Sequence, residues 1–159
     1  MTAPEPSGRV ERPIAVGDTL TPLEIDVTAT LVAAGAIATR DFMPVHHDRD
    51  YANVQGAPDI FMNILSDTGY CSRFLTDWAG PDAMVRHLAI RLGVPVFPGT
   101  MLRYTGEVTG VSVEGDEVVV EIGFRATTPL GDHVTGSARL TLPVDAPAGS
   151  DHEPAAGIR

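Results

Sequence analysis

Residues 23 to 27, LEIDV, place an apolar side chain at every second position, the period of a strand with one buried face. Thr28 follows at once and is positioned to cap a short helix of small aliphatic residues, TLVAAGAIA, by accepting a backbone N–H bond. A polar stretch, RDFMPVHHDRDYA, and a turn signal, QGAPD, then interrupt the pattern. From residue 60 to about residue 78 the period changes. Phe61, Ile64, Thr68, Cys71, Leu75 and Trp78 step by three and four, and Ile60, Leu65 and Phe74 widen the same face. This spacing predicts one long amphipathic helix, with Asp59 placed to cap its start. Gly80 and Pro81 end it, the first by tolerating a positive φ and the second by lacking an N–H.

The second half of the chain returns to alternation. MVRHLAIRL, 84 to 92, puts Met84, Leu88, Ile90 and Leu92 on one side and Val85, His87, Ala89 and Arg91 on the other. A long ribbon over 100 to 112 and 117 to 127 turns near Glu114 and Gly115, and a last strand covers 132 to 142. One strand and a short helix, then a long helix, then about four antiparallel strands predict an α+β fold: a strongly bent sheet wrapped round one apolar helix. The edges of such a sheet are open to pairing with a second subunit.

The chain of 159 residues fits a single domain. Residues 1–13 are rich in proline and charge, and 144–159 have the composition of a solvated tail, so the domain is expected over 14–143. A net charge of −10 argues against nucleic acid or an anionic membrane as partner. Arg86, Arg91, Arg103 and Arg125 still leave room for a local basic groove. Cys71 is the only cysteine, which excludes an intrachain disulfide and suits a reducing compartment. With neither a signal peptide nor a long apolar span in view, a soluble cytoplasmic protein is expected.

The polar stretch admits three readings. His46, His47, Asp48 and Asp50 are metal-ligand types, but adjacent histidines point apart and no distant His or Cys completes a set. A solvated loop suits Asp48, Arg49 and Asp50, with Asp48 capping a short helix through Tyr51 and Ala52. A general acid/base pair suits Asp41 and His46, which flank a rigid Pro44 among apolar Phe42, Met43 and Val45. The residues alone leave loop and acid/base pair open. Elsewhere, Asp67 and Asp77 read as solvated or paired with Arg73. His87 and His133 read as strand-face residues, and Trp78 as core or interface.

Asp41-Phe-Met-Pro-Val-His46-His-Asp48 resembles the Asp-x-Asn-Pro-apolar-His-x-Asp motif of MaoC-type enoyl-CoA hydratases, with Ala52 where the family's alanine follows. VPVFPGTMLRYTGEVTGV, 94 to 111, and LGDHVTGSARLTLP, 130 to 143, are similar to the family's apolar-Pro-Val segment and closing strand, so the likeness spans roughly 20 to 143. RDFMPVHHDRD, DIFMNILSDTGYCSRFLTDWAGP and RLGVPV resemble, more narrowly, the small catalytic subunits of two-chain actinobacterial hydratases for steroid (cholesterol) side-chain CoA thioesters. Two positions depart from the motif: Met43 replaces its Asn, and Arg40 stands where Gly is frequent.

The resemblance implies a hot-dog fold and reversible addition of water to a 2-enoyl-CoA. Asp41 and His46 would hold the water. A backbone N–H of Phe61 or Ile60, at the helix start, would meet the thioester oxygen. Asn63 and Ser66 are candidates for the acyl pocket, and Arg86 and Arg91 for the CoA phosphates; without a ligand these read as helix-surface and surface residues. No metal or cofactor is implied, CoA being part of the substrate. The implied partner is a second MaoC-like chain, in a heterodimer or heterotetramer. The alternatives are a homodimeric hydratase or thioesterase acting on simpler acyl-CoA, and a non-catalytic MaoC-like subunit.

Overall fold

The computed structural model describes residues 13–144; the predicted N-terminal segment and C-terminal tail lie almost wholly outside them. Five antiparallel strands form one sheet in the order β1-β3-β4-β5-β2. They are β1 (Leu23–Val27), β2 (Met84–Leu92), β3 (Thr100–Glu114), β4 (Glu117–Thr128) and β5 (Gly131–Pro143). Three α-helices precede β2: α1 (Ala29–Ala38), α2 (Arg49–Val54) and α3 (Ile64–Ala79), with a single 3-10 turn at Pro44–His46. This is the predicted α+β hot-dog arrangement, with α3 as its central helix.

Alternation sets which face of each strand is buried. Ile25 and Val27 of β1, Leu102, Tyr104 and Val108 of β3, Val120, Ile122, Phe124 and Ala126 of β4, and Val134, Ala138 and Leu140 of β5 form one core. Cys71, Phe74 and Leu75 of α3 enter it, and the Phe74 ring lies 5.8 Å from that of Tyr104 and 6.3 Å from that of Phe124. Helix and sheet approach closely at Gly106, where a Cβ would stand 3.3 Å from the Phe74 ring and 3.0 Å from the Phe124 Cβ.

The structure corrects the pattern at two places. In β2 the register shifts between Val85 and His87, so Arg86 is the extra residue of a bulge. The bulge flips the alternation: Val85 joins Leu88 and Ile90 against the core, whereas Met84 and Leu92 are exposed. The long helix also begins at Ile64 rather than Ile60, and its N-cap is Asn63, whose side chain accepts from Ser66 N. Asp59 instead pairs with Arg49 through two bonds of 2.8 and 3.0 Å and accepts the N–H of Ile60. The other caps fall where predicted. Thr28 accepts from Leu31 N, Asp48 from Tyr51 N, and Gly80 closes α3 at φ 87°.

Two of the four central arginines are engaged by carboxylates: Arg86 pairs with Glu117 and Arg103 with Glu24. Among the described residues no helix is long and apolar enough to cross a membrane.

Candidate active site

Asp41 owes its position to how α1 ends. Arg40 adopts a left-handed conformation at φ 58°. Its N–H donates to Ile37 O, and the N–H of Asp41 reaches back to Ala36 O at 2.9 Å. These two bonds form a Schellman motif, which reverses the chain at a helix C-terminus. Arg40 thus occupies a position that glycine fills without steric cost. The turn from Pro44 to His46 then carries His46 back towards Asp41, with proline's fixed φ suited to the first position.

His46 is nearly buried, and its Nδ1 lies 2.7 Å from the carbonyl oxygen of Phe61. A carbonyl can only accept, so Nδ1 carries a proton, and in the neutral form of the ring the lone pair lies at Nε2. That Nε2 stands 3.4 Å from Oδ2 of Asp41. The ring also meets Phe61 edge to face, with centroids 5.0 Å apart. His47 points elsewhere, towards the carbonyl of Phe42. No group of His, Cys, Asp or Glu suited to a metal occurs among the described residues.

Asp41 is held by donors. Asn63 Nδ2 donates to Oδ2 at 3.0 Å, and Met43 N donates to Oδ1 at 3.3 Å. The Asn63 amide and the Met43 N–H, joined by the charge of the His46 ring when it is protonated, outweigh partial burial and keep the carboxyl below the ordinary carboxylate range. Asp41 therefore remains an ionised acceptor through neutral pH.

Asn63, a candidate for the acyl pocket, has no free polar atom to offer an acyl group. It is buried, and its carboxamide is fully committed to Thr39, Asp41 and Ser66 N. Ser66 faces α1, where a Cβ on Gly35 would come within 2.5 Å of its Oγ. Ile60 and Phe61 lie ahead of α3, and their N–H groups already donate to Asp59 and to Val45 O. Among the described residues, the N–H groups without a protein acceptor at the start of α3 are those of Asn63, Ile64 and Leu65, the ones that a helix leaves without internal partners. Arg86 is bound to Thr141 and Glu117, and Arg91 lies exposed on β2 opposite Thr135. Neither makes a described contact with the Asp41–His46 pair.

Two features escaped the sequence. Thr39, at the end of α1, accepts from Asn63 Nδ2 at 2.8 Å while donating to Gly35 O. Asp67 is not solvated or bound to Arg73, and His133 is not a mere strand-face residue. The two meet at 2.9 Å in the interior, and His133 Nδ1 also lies 2.6 Å from Val94 O. Arg73 pairs with Asp77 instead. A signal for Asn63 was present, since asparagine is among the best N-caps and precedes the helical run. Cys71 is buried and its thiol is pushed up to about 12, which removes it as a nucleophile.

No model of a known protein family matches the chain. It is 45% identical over 127 residues to the 3-oxo-4,17-pregnadiene-20-carboxyl-CoA hydratase beta subunit of Mycobacterium tuberculosis, covering 80% of this chain and 95% of that one. In structure it resembles a chain of the ChsH1-ChsH2 complex from the same organism, with a TM-score of 0.75 and 42% identity over 80% of this chain and 98% of that one. It also resembles the (R)-hydratase of A. caviae involved in PHA biosynthesis, with a TM-score of 0.74 and 25% identity over 82% and 98% of the two chains. The extent of the match to the mycobacterial subunit, on a shared hot-dog fold, establishes that the chain belongs to the MaoC-like hydratase family.

Proposed function

We propose that this chain is the catalytic subunit of a two-chain hydratase that adds water across the 2-ene of a steroid side-chain CoA thioester. The observation that carries the proposal is His46 Nε2 facing Asp41 Oδ2 at 3.4 Å while Nδ1 is tied to the Phe61 carbonyl, which in the neutral ring leaves two acceptors facing one another. Two acceptors cannot bond directly. A water that donates one hydrogen to each is fixed with its oxygen lone pairs turned to an incoming carbon.

The chemistry follows from that placement. The water oxygen forms a bond to Cβ of the enoyl group as His46 Nε2 takes the released proton. Asp41, kept ionised by Asn63, is a poor proton acceptor and orients the water. The alkene electrons move through Cα to the thioester oxygen, where the open N–H groups of Asn63, Ile64 or Leu65 receive the charge, aided by the dipole of α3. His46 then returns a proton to Cα, giving the 3-hydroxyacyl-CoA. No metal or separate cofactor enters the cycle.

The activity of the mycobacterial subunit supports the steroid acyl group, and the ChsH1-ChsH2 complex supports a heteromeric assembly. Phe42 and Met43, which lie between Asp41 and His46, and Ile64 and Leu65, which follow the Asn63 that binds Asp41, are all exposed in the single chain. Apolar side chains gathered around a polar pair suit an apolar acyl group and a covering subunit. Two different subunits also escape the twofold constraint, so one can keep the chemistry while the other opens room for rigid rings.

The test is to express the chain alone and with a second MaoC-like chain. Assembly mass, loss of enoyl absorbance and release of free thiol are then measured on 3-oxo-4,17-pregnadiene-20-carboxyl-CoA and on crotonyl-CoA. Hydration of the steroid substrate by the two-chain complex, without thiol release, is expected. Full steroid activity from the isolated homodimer sinks the two-chain assignment, and thiol release would make the chain a thioesterase.

A further inference from the structure

We infer that Asn63 is a positioning residue for hydration, holding Asp41 in its reactive place and joining it to the start of α3. The inference rests on the hydratase assignment of Asp41 and His46. Its evidence is the use of every polar atom of one buried carboxamide. One N–H of Nδ2 goes to Thr39 Oγ1 at 2.8 Å, the other to Asp41 Oδ2 at 3.0 Å, and Oδ1 accepts the Ser66 N–H at 3.1 Å.

These bonds fix the amide's orientation. A flipped amide would set Oδ1 against the Asp41 carboxylate and turn two N–H donors towards the Ser66 N–H. Both contacts would then repel. Thr39 Oγ1 can accept because its own hydrogen is directed to carbonyl oxygens of α1, with Gly35 O at 2.8 Å. A rigid path therefore runs from the end of α1, through Asn63, to Asp41. It compensates for Met43, since a methionine side chain cannot donate to the catalytic turn as the motif's asparagine could.

His46, on the 3-10 turn, is the titratable group that faces the Asp41 carboxylate among the described residues. Removing the Asn63 donor leaves Oδ2 opposite the Nε2 lone pair without its anchor. The carboxylate is then free to rotate and easier to protonate.

Asn63→Ser separates this role from the helix cap. Serine caps as well as asparagine but is too short to donate to Asp41 while it accepts from Ser66 N. In the complex with the second chain, Asn63→Ser is expected to stay folded with its helix cap intact, to lower Tm by less than about 10 °C, and to leave KM near its original value. Its kcat falls roughly tenfold to a hundredfold, the size of effect that small misplacements produce. In 13C-carboxyl spectra of aspartate-labelled complex, the Asp41 signal is identified by its loss in Asp41→Asn, and it titrates at higher pH than in the original complex. Asn63→Asp, which caps equally well but sets a second carboxylate against Asp41, is expected to lose more. The inference is overturned if Asn63→Ser keeps both the original kcat and the original Asp41 titration, with Asp41→Asn still inactive. An active Asp41→Asn enzyme would instead overturn the assignment of the catalytic pair, so the two failures are distinct.

Discussion

The Nε2 atom of His46 and the Oδ2 atom of Asp41 face one another at 3.4 Å while the opposite side of the imidazole is tied to the Phe61 carbonyl. That tie decides the tautomer. In the neutral form of the ring the lone pair at Nε2 and the Asp41 carboxylate are then two acceptors sharing one space.

Replacing either member should therefore cost activity far more than stability. Asp41→Asn and His46→Ala are each expected to lower kcat by about a hundredfold or more, in the range of a lost acid/base group. His46→Ala also strands the Phe61 carbonyl, which costs about 1–3 kcal/mol. Enoyl absorbance decay and thermal unfolding check both. Near-normal turnover in either variant would sink that residue's role.

Asp41 makes its own contribution to the pH dependence of stability. Its folded-state value is lowered, chiefly by the Asn63 amide. The stabilisation it gives is thus fully present above the ordinary carboxylate value near 3.9 and is lost as pH falls through the lower folded value. Acid unfolding of Asp41→Asn compared with the original chain should show a shallower loss of stability below about pH 4. Identical acid limbs would mean that the Asn63 bond does not hold the carboxylate in its charged form.

The interior pair behaves in the opposite sense. Burial lowers the His133 value, but the Asp67 bond and charge, together with the Val94 carbonyl, outweigh it and raise the value overall. Both ring nitrogens face acceptors, so the charged imidazolium fits the site. Its contribution is complete below the unfolded value near 6.5 and disappears as pH rises through the higher folded value. Asp67→Asn, which leaves a buried charge unpaired, is expected to cost about 3–5 kcal/mol at pH 6 and less at pH 9. Denaturant unfolding at the two pH values measures this, and equal penalties would argue for a neutral ring.

Arg40 supplies a prediction of gain. An L-residue in the left-handed region costs about 1–2 kcal/mol, and glycine does not. Arg40→Gly should raise stability by about 1 kcal/mol and leave hydration intact, because both bonds of the Schellman motif are made by backbone. A fall in kcat without a stability change would reveal that the guanidinium acts on the substrate.

Much of this fold is written in short-range periods. Four of the five strands and α1 follow from alternation, capping and turn residues, because each reports which face meets the core. The pattern fails where geometry is not periodic. Arg86 inserts one residue into β2 and reverses the order that Met84 and Val85 had promised. Ile60 and Met62 are buried like helix residues, yet they belong to an extended approach, and that moved the expected start of α3 and its open N–H groups. Asp41 and His46 were legible as a polar pair on a stiff turn, and the motif gave them roles. Asp67 and His133 could not be paired from sequence, since only tertiary folding brings together a helix turn and a strand so far apart along the chain.

The order β1-β3-β4-β5-β2 has a consequence for how the molecule is made. The hairpins β3-β4 and β4-β5 join neighbours in sequence and can zip locally, but Leu23 of β1 must wait for Tyr104 of β3, its partner across the sheet. Closing such a long loop delays contact formation. β1 leads directly into α1 and the turn that carries Asp41 and His46, so this segment emerges first but is fastened only after β3 has been made. During synthesis it remains without a partner strand until β3 exists, whereas β2 must wait longer still, for β5, and it is that pairing that completes the sheet.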